Sequence, residues 1–144
     1  MNILKFSLFE NKELDTVEKT ILFTDIKGSS LLWGSDEDAM FKALEKHEKQ
    51  LLKLTDDYDG VILKSIGDSY MIAFDELEDA VEFAITLQKD LKEKPIKIGK
   101  DKLLLRIGIC GGKVYEKVVK RQDKDLVDYF GDTVNIASRM ESKS

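Results

Sequence analysis

The sequence predicts an α+β fold, an antiparallel sheet with helices packed on one face. Two observations predict it. Short apolar, partly β-branched runs alternate with longer stretches whose apolar residues recur at helical spacing. Those segments come in the order strand, helix, strand, strand, helix, strand, strand, helix, with glycine-containing hairpin signals between successive strands.

Thr20 to Asp25 is the first apolar run and reads as a buried strand. Ser35-Asp36-Glu37-Asp38 then reads as a helix start, with Ser35 as cap and acids in the first turn. Phe41, Leu44, His47, Leu51, Leu54 and Tyr58 follow as its apolar stripe, ended by Asp59-Gly60. On that stripe His47 reads as a half-buried packing residue. Val61 to Ile66 and Ser69 to Phe74 are strands joined by Gly67-Asp68, a tight-hairpin signal. Asp75-Glu76-Leu77-Glu78 resembles a capping box. Leu77, Ala80, Val81, Ala84, Leu87, Gln88 and Leu91 continue that helix on one face, and Pro95 closes the region. Leu103 to Ile109 is another strand, with Gly111-Gly112 as a second hairpin into Lys113 to Val119. Arg121 to Asp125 reads as a charged loop, and Asp132-Thr133 as the cap of a last helix carrying Val134, Ile136, Ala137 and Met140.

The first six elements form βαββαβ, the ferredoxin-like, palm-type pattern, followed by one more strand and a C-terminal helix. Its second sheet face then needs a cover. Residues 1–19, polar and charged, read as a lead-in strand or linker, and residues 20–144 as one domain.

Composition narrows the function classes. Of the 144 residues, 42% are hydrophobic and 35% charged, which is globular rather than disordered. The net charge of −5 argues against a nucleic-acid polymer as partner, since that needs a basic footprint. No apolar run approaches a membrane span and no signal peptide is visible, so no direct membrane contact and a cytoplasmic location are expected. One cysteine, Cys110, excludes an internal disulfide framework and reads as a small buried hydrophobe. The single histidine argues against a histidine-based zinc site.

Three pairs of residues carry candidate chemistry. Asp25 ends an otherwise apolar strand, and Asp68 sits in the turn between the next two. Neighbouring strands would bring both carboxylates to one sheet end, where paired oxygen ligands suit hard divalent cations shared with phosphates. Taken alone, the pair is equally read as ordinary turn chemistry. Asn135 and Arg139, four residues apart, share a helical face on which an amide and a guanidinium could grip a ribose oxygen and a phosphate. The alternative is a solvated polar face. Lys64 and Asp128 offer a donor and an acceptor that match the N1 and N6 edge of adenine, although their spacing does not show that they meet.

Phe23-Thr24-Asp25-Ile26-Lys27-Gly28-Ser29-Ser30, Lys64-Ser65-Ile66-Gly67-Asp68 and Asp128 through Arg139 together resemble class III adenylate and guanylate cyclases. The resemblance runs from about Thr20 to the C-terminus. It implies that Asp25, Asp68 and the Ile26 backbone carbonyl hold two magnesium or manganese ions. It implies that Lys64 and Asp128 select adenine, where the guanylate branch typically carries glutamate and cysteine. Asn135 and Arg139 would position the ribose and stabilise the transition state, and Arg106 would contact the terminal phosphates. The implied reaction is ATP to cyclic AMP and pyrophosphate, in a homodimer whose active sites lie at the interface. That interface would cover the second sheet face, and the parent protein could be tethered to a membrane.

Relatives continue beyond the position of Ser144, through strands bearing another phosphate-binding lysine. The resemblance therefore implies a C-terminally incomplete domain and leaves the activity of this chain alone open. Cys110 stands where many relatives have histidine. The rival readings are a guanylate cyclase and a non-catalytic nucleotide-binding regulatory domain. A diguanylate cyclase is disfavoured, because the hairpin reads Ile66-Gly67-Asp68-Ser69 rather than Gly-Gly-Asp/Glu-Glu-Phe.

Overall fold

The computed structural model describes residues 15–122 and 124–143. Strand β1 (Asp15–Ile26) leads through a short helix α1 (Ser29–Ser35) into the long helix α2 (Glu37–Asp57). The hairpin β2 (Val61–Ile66) and β3 (Ser69–Phe74) precedes helix α3 (Leu77–Glu93). A small ribbon, β4 (Lys97–Ile98) and β5 (Asp101–Lys102), leads to β6 (Leu105–Arg121), β7 (Lys124–Phe130) and helix α4 (Asp132–Ser142). The main sheet has five strands in the order β2-β3-β1-β6-β7, all antiparallel.

Alternation along β1 divides the core in two. Leu22 and Ile26 face α2 and α3, in a cluster with Met40, Leu51, Ile72, Phe74, Phe83 and Leu87. Ile21 and Phe23 point the other way and meet Met71, Ala73, Val114, Tyr129 and Ala137. Helix α4 therefore lies on the face opposite the other helices, and covers part of the surface that the sequence leaves bare.

Five main strands were expected and five exist, but two differ in identity. Gly111-Gly112 is not a hairpin: β6 runs straight through it, with Gly111 opposite Thr20 and Gly112 opposite Lys19. The glycines serve close approach instead. A Cβ on Gly112 would lie 2.9 Å from Thr133 Oγ1, and that hydroxyl donates to the Lys113 carbonyl at 2.8 Å. The real hairpin sits where a charged loop was expected, with Arg121 paired to Lys124 and Asp125 to Lys120. Charged residues suit it because β7 is an edge strand.

Other local readings shift in a similar way. The cap of α2 is Asp36, whose carboxylate accepts from Ala39 N at 3.0 Å, while Ser35 Oγ donates back to the Leu32 carbonyl. The buried stripe of α2 is Met40, Ala43, His47, Leu51, Leu54 and Thr55, and Phe41 lies outside it at 61% exposure. His47 is fully buried rather than half-buried. In α3 the inward residues are Ala80, Phe83, Leu87 and Leu91, and Leu77 and Val81 are exposed. No side chain caps α3, whose N-cap is Glu76, and Asp75 just before it pairs with Lys19. No side chain caps α4 either, and Gly131 is its N-cap. Cys110 is half-buried against the second core cluster. Of the lead-in segment, residues 1–14 lie outside the described residues and Asp15 to Lys19 belong to β1.

Candidate active site

The β2–β3 connection is a two-residue turn, Ile66 pairing with Ser69. Gly67 has φ 60°, and no positive φ occurs at Asp68. A positive φ at the first central residue alone is what a type II′ turn requires, which explains the order Gly-Asp. The turn delivers Asp68 to the sheet end where β1 finishes.

There the β1–β3 ladder, ending at Thr24 opposite Tyr70, sets Asp25 beside Ser69. Ser69 Oγ donates to Asp25 Oδ1 at 3.0 Å. Asp25 and Asp68 are thus brought to one end of the sheet through adjacent residues. Trp33, on α1, donates from Nε1 to Asp68 Oδ2 at 3.2 Å. Ile26 is 2% exposed, and its side chain anchors the end of β1 in the core.

Among the described residues no group of three or more His, Cys, Asp or Glu converges on one point. A cation here would be held by the two carboxylates and complete its shell from carbonyl, water and substrate oxygens. Such a partial, all-oxygen set fits magnesium, which commonly binds through one or two carboxylates plus phosphates.

Arg106 stands directly across from Asp25 in the β1–β6 register, on the face covered by α4. Its Nε is buried without a hydrogen-bond partner among the described residues. The last turn of α4 comes down beside this pair. A Cβ on Gly108 would lie 2.1 Å from Glu141 N and 2.3 Å from the Ala137 carbonyl oxygen, so the helix rests on bare backbone. Burial holds the Glu141 carboxyl above its ordinary range, Asp25 adds to the rise, and Arg106 opposes it.

Lys64 and Asp128, on opposite edges of the sheet, do meet. Lys64 Nζ donates to Asp128 Oδ2 at 2.9 Å. Strand twist curls the edges toward each other. The ladder shifts between Ile62 and Lys64, a bulge at Leu63 that sets Lys64 opposite Met71 on the α4 side. Asp128 Oδ1 also accepts from Tyr129 N at 2.9 Å. The pair is partly solvated, at 42% and 21% side-chain exposure, so its contribution to stability is at most about 1 kcal/mol.

Asn135 and Arg139 are both exposed on α4, and their side chains make no hydrogen bond or ion pair among the described residues. Neither is brought against Asp25 or Asp68. The structure thus brings Asp25 and Asp68 to one sheet end, pairs Lys64 with Asp128, and turns Asn135 and Arg139 outward, with Arg106 across from Asp25. Sequence reasoning passed over Trp33, Ser69 and Glu141. Only Trp33 carried a signal, as the sole tryptophan, between the two aspartates in sequence.

Known proteins are similar to this chain in sequence and in fold. The family described as the adenylate and guanylate cyclase catalytic domain matches residues 9–144. Receptor-type adenylate cyclase A of Leishmania donovani is 26% identical over 184 residues, covering 97% of this chain and 13% of that protein. The adenylate cyclase of Lachancea kluyveri is 32% identical over 137 residues, covering 83% of this chain and 7% of that protein. The crystal structure of the catalytic core of a rhodopsin-guanylyl cyclase with converted specificity, in complex with ATPαS, is 27% identical with a TM-score of 0.77. That likeness covers 90% of this chain and 74% of the solved one. The chain spans only a small part of the curated relatives. With fold, motif order and family match in agreement, the chain belongs to the adenylate and guanylate cyclase catalytic domain family.

Proposed function

We propose that this domain, within its parent protein, converts ATP to 3′,5′-cyclic AMP and pyrophosphate in intracellular signalling. The observation that carries the choice of base is the contact between Lys64 and Asp128 at 2.9 Å. An ammonium and a carboxylate held side by side offer a donor to adenine N1 and an acceptor to N6. The likeness to proteins named adenylate cyclases supports the same choice.

Asp25 and Asp68, with the Ile26 carbonyl, would hold two magnesium or manganese ions. Bound there, the ions would lower the pKa of the ribose 3′-hydroxyl and neutralise triphosphate charge. The 3′-oxygen bonds the α-phosphorus, the bond to the bridging oxygen of the β-phosphate breaks, and pyrophosphate leaves. The hydroxyl proton passes to solvent. Asn135 orients the ribose, Arg139 places positive charge where negative charge develops, and Arg106 steadies the terminal phosphates.

In one chain Asn135 and Arg139 face outward, away from the carboxylates. A homodimer resolves this, with the carboxylates of one chain meeting α4 of its partner. Exposed apolar residues support it: Ile136 and Met140 flank the polar pair on α4, and Val118, Leu126 and Phe130 lie on the β6–β7 hairpin. Among the described residues no helix is long and apolar enough to cross a membrane. The receptor-type relative supports a parent that is membrane-tethered, with this domain in the cytosol.

The test is product identity. The parent protein is incubated with manganese and equal ATP or GTP, beside Asp25→Ala. Cyclic AMP from the unmodified protein alone supports the reading. Predominant cyclic GMP would support the guanylate reading instead. Nucleotide binding without either product would favour a regulatory domain.

A further inference from the structure

Each carboxylate of the candidate metal pair is already engaged through one oxygen by a donor from a different element. Ser69 Oγ holds Asp25 Oδ1 at 3.0 Å, and Trp33 Nε1 holds Asp68 Oδ2 at 3.2 Å. We propose that Trp33 and Ser69 are positioning residues, which fix these carboxylates so that one oxygen of each is left for a divalent cation. The proposal rests on the metal-binding reading above.

The two donors suit the task differently. An indole N–H can only donate, so Trp33 can orient a carboxylate but cannot compete as a ligand. Its ring is itself held. It packs on the main core cluster and meets Phe41 edge-on, with centroids 5.0 Å apart at 81°. Leu32, its neighbour on α1, is buried in the same cluster. This also accounts for Phe41, which lies off the buried stripe of α2 yet braces Trp33. Ser69 is placed by the ladder, as the first residue of β3 and the neighbour of Asp68. A carboxylate with one oxygen fixed has lost torsional freedom before the cation arrives, so binding costs less entropy. Removing such outer partners typically weakens metal affinity about 10–100-fold.

The competing explanation is that a half-buried indole N–H merely needs some partner. Stability and metal affinity separate the two. Manganese alone is titrated into the 144-residue chain and followed by its electron paramagnetic resonance signal, with thermal melting in parallel. Trp33→Phe and Ser69→Ala should each weaken manganese binding about tenfold with little change in melting. Trp33→Phe should add nothing in an Asp68→Asn background, and Ser69→Thr should restore what Ser69→Ala loses. Should Trp33→Phe fail to fold, Ser69→Ala and Ser69→Thr decide.

Terbium emission excited through the sole tryptophan gives an independent readout. It should appear in the unmodified chain, weaken in Ser69→Ala and vanish in Asp68→Ala. Manganese binding that depends on Asp25 and Asp68 but is unchanged in both donor variants would overturn the positioning role and leave the metal site standing. No binding dependent on either aspartate would overturn both.

Discussion

At the scale of single residues, the carboxylates and the base pair differ in how they could be read. The convergence of Asp25 and Asp68 at one sheet end was legible because each sits on a local signal, a strand end and a glycine turn. The meeting of Lys64 with Asp128 was not, since it needs sheet curl and a bulge at Leu63, and no residue type announces either. The donors Trp33 and Ser69 were invisible for a similar reason: a hydrogen-bond partner far along the chain leaves no periodic trace. The proposed role of Lys64 and Asp128 in base selection supports a direct prediction. Lys64→Glu with Asp128→Cys replaces donor and acceptor with the guanylate-type pair. We expect the ratio of kcat/KM for ATP over GTP to fall at least about tenfold, each lost or mismatched bond contributing about 1–3 kcal/mol. Steady-state rates with the two nucleotides check it.

At the scale of elements, glycine was the residue most easily misread. Gly111-Gly112 carries a turn signal, yet the chain uses it to let β6 pass beneath Thr133. Gly108 is used likewise under α4, whose backbone would lie within 2.1 Å of an added Cβ. Gly108→Ala should lift the helix that carries Asn135 and Arg139. We expect a loss of about 1–3 kcal/mol or more in chemical denaturation, and a kcat loss out of proportion to any change in metal affinity. Helix α2 was legible in place and length, and the middle of its buried face was too, through His47, Leu51 and Leu54; at its two ends Met40, Ala43 and Thr55 are buried where Phe41, Leu44 and Tyr58 were expected.

The same helix carries a pH dependence. His47 is fully buried, and burial holds its imidazole below the ordinary value, only partly offset by Gln50. The unfolded chain takes up a proton near about pH 6.5 that the folded chain refuses. Stability is therefore complete above that pH and falls as pH drops toward the folded value, by up to about 1.4 kcal/mol per unit. Thermal melting from about pH 7.5 to about pH 5.5 should show this loss, and His47→Leu should flatten it.

At the scale of the whole molecule, the antiparallel sheet with helices on one face was legible from periodicity. The placement of α4 on the other face was not, because the sequence marks that helix as amphipathic without saying which sheet surface receives it. That placement turns Asn135 and Arg139 outward, beside exposed Ile136 and Met140, and so asks for a second chain. The central claim is a site shared between chains, with Asp25 from one and Arg139 from its partner. It is tested most directly by mixing. Full-length parent proteins carrying Asp25→Ala or Arg139→Ala are each assayed alone for cyclic AMP, then combined and allowed to exchange subunits. Each alone should be nearly inactive, and the mixture should recover about a quarter of unmodified activity, since half the dimers then hold one intact site of two. A mixture as inactive as its components, with exchange demonstrated, would contradict the shared site.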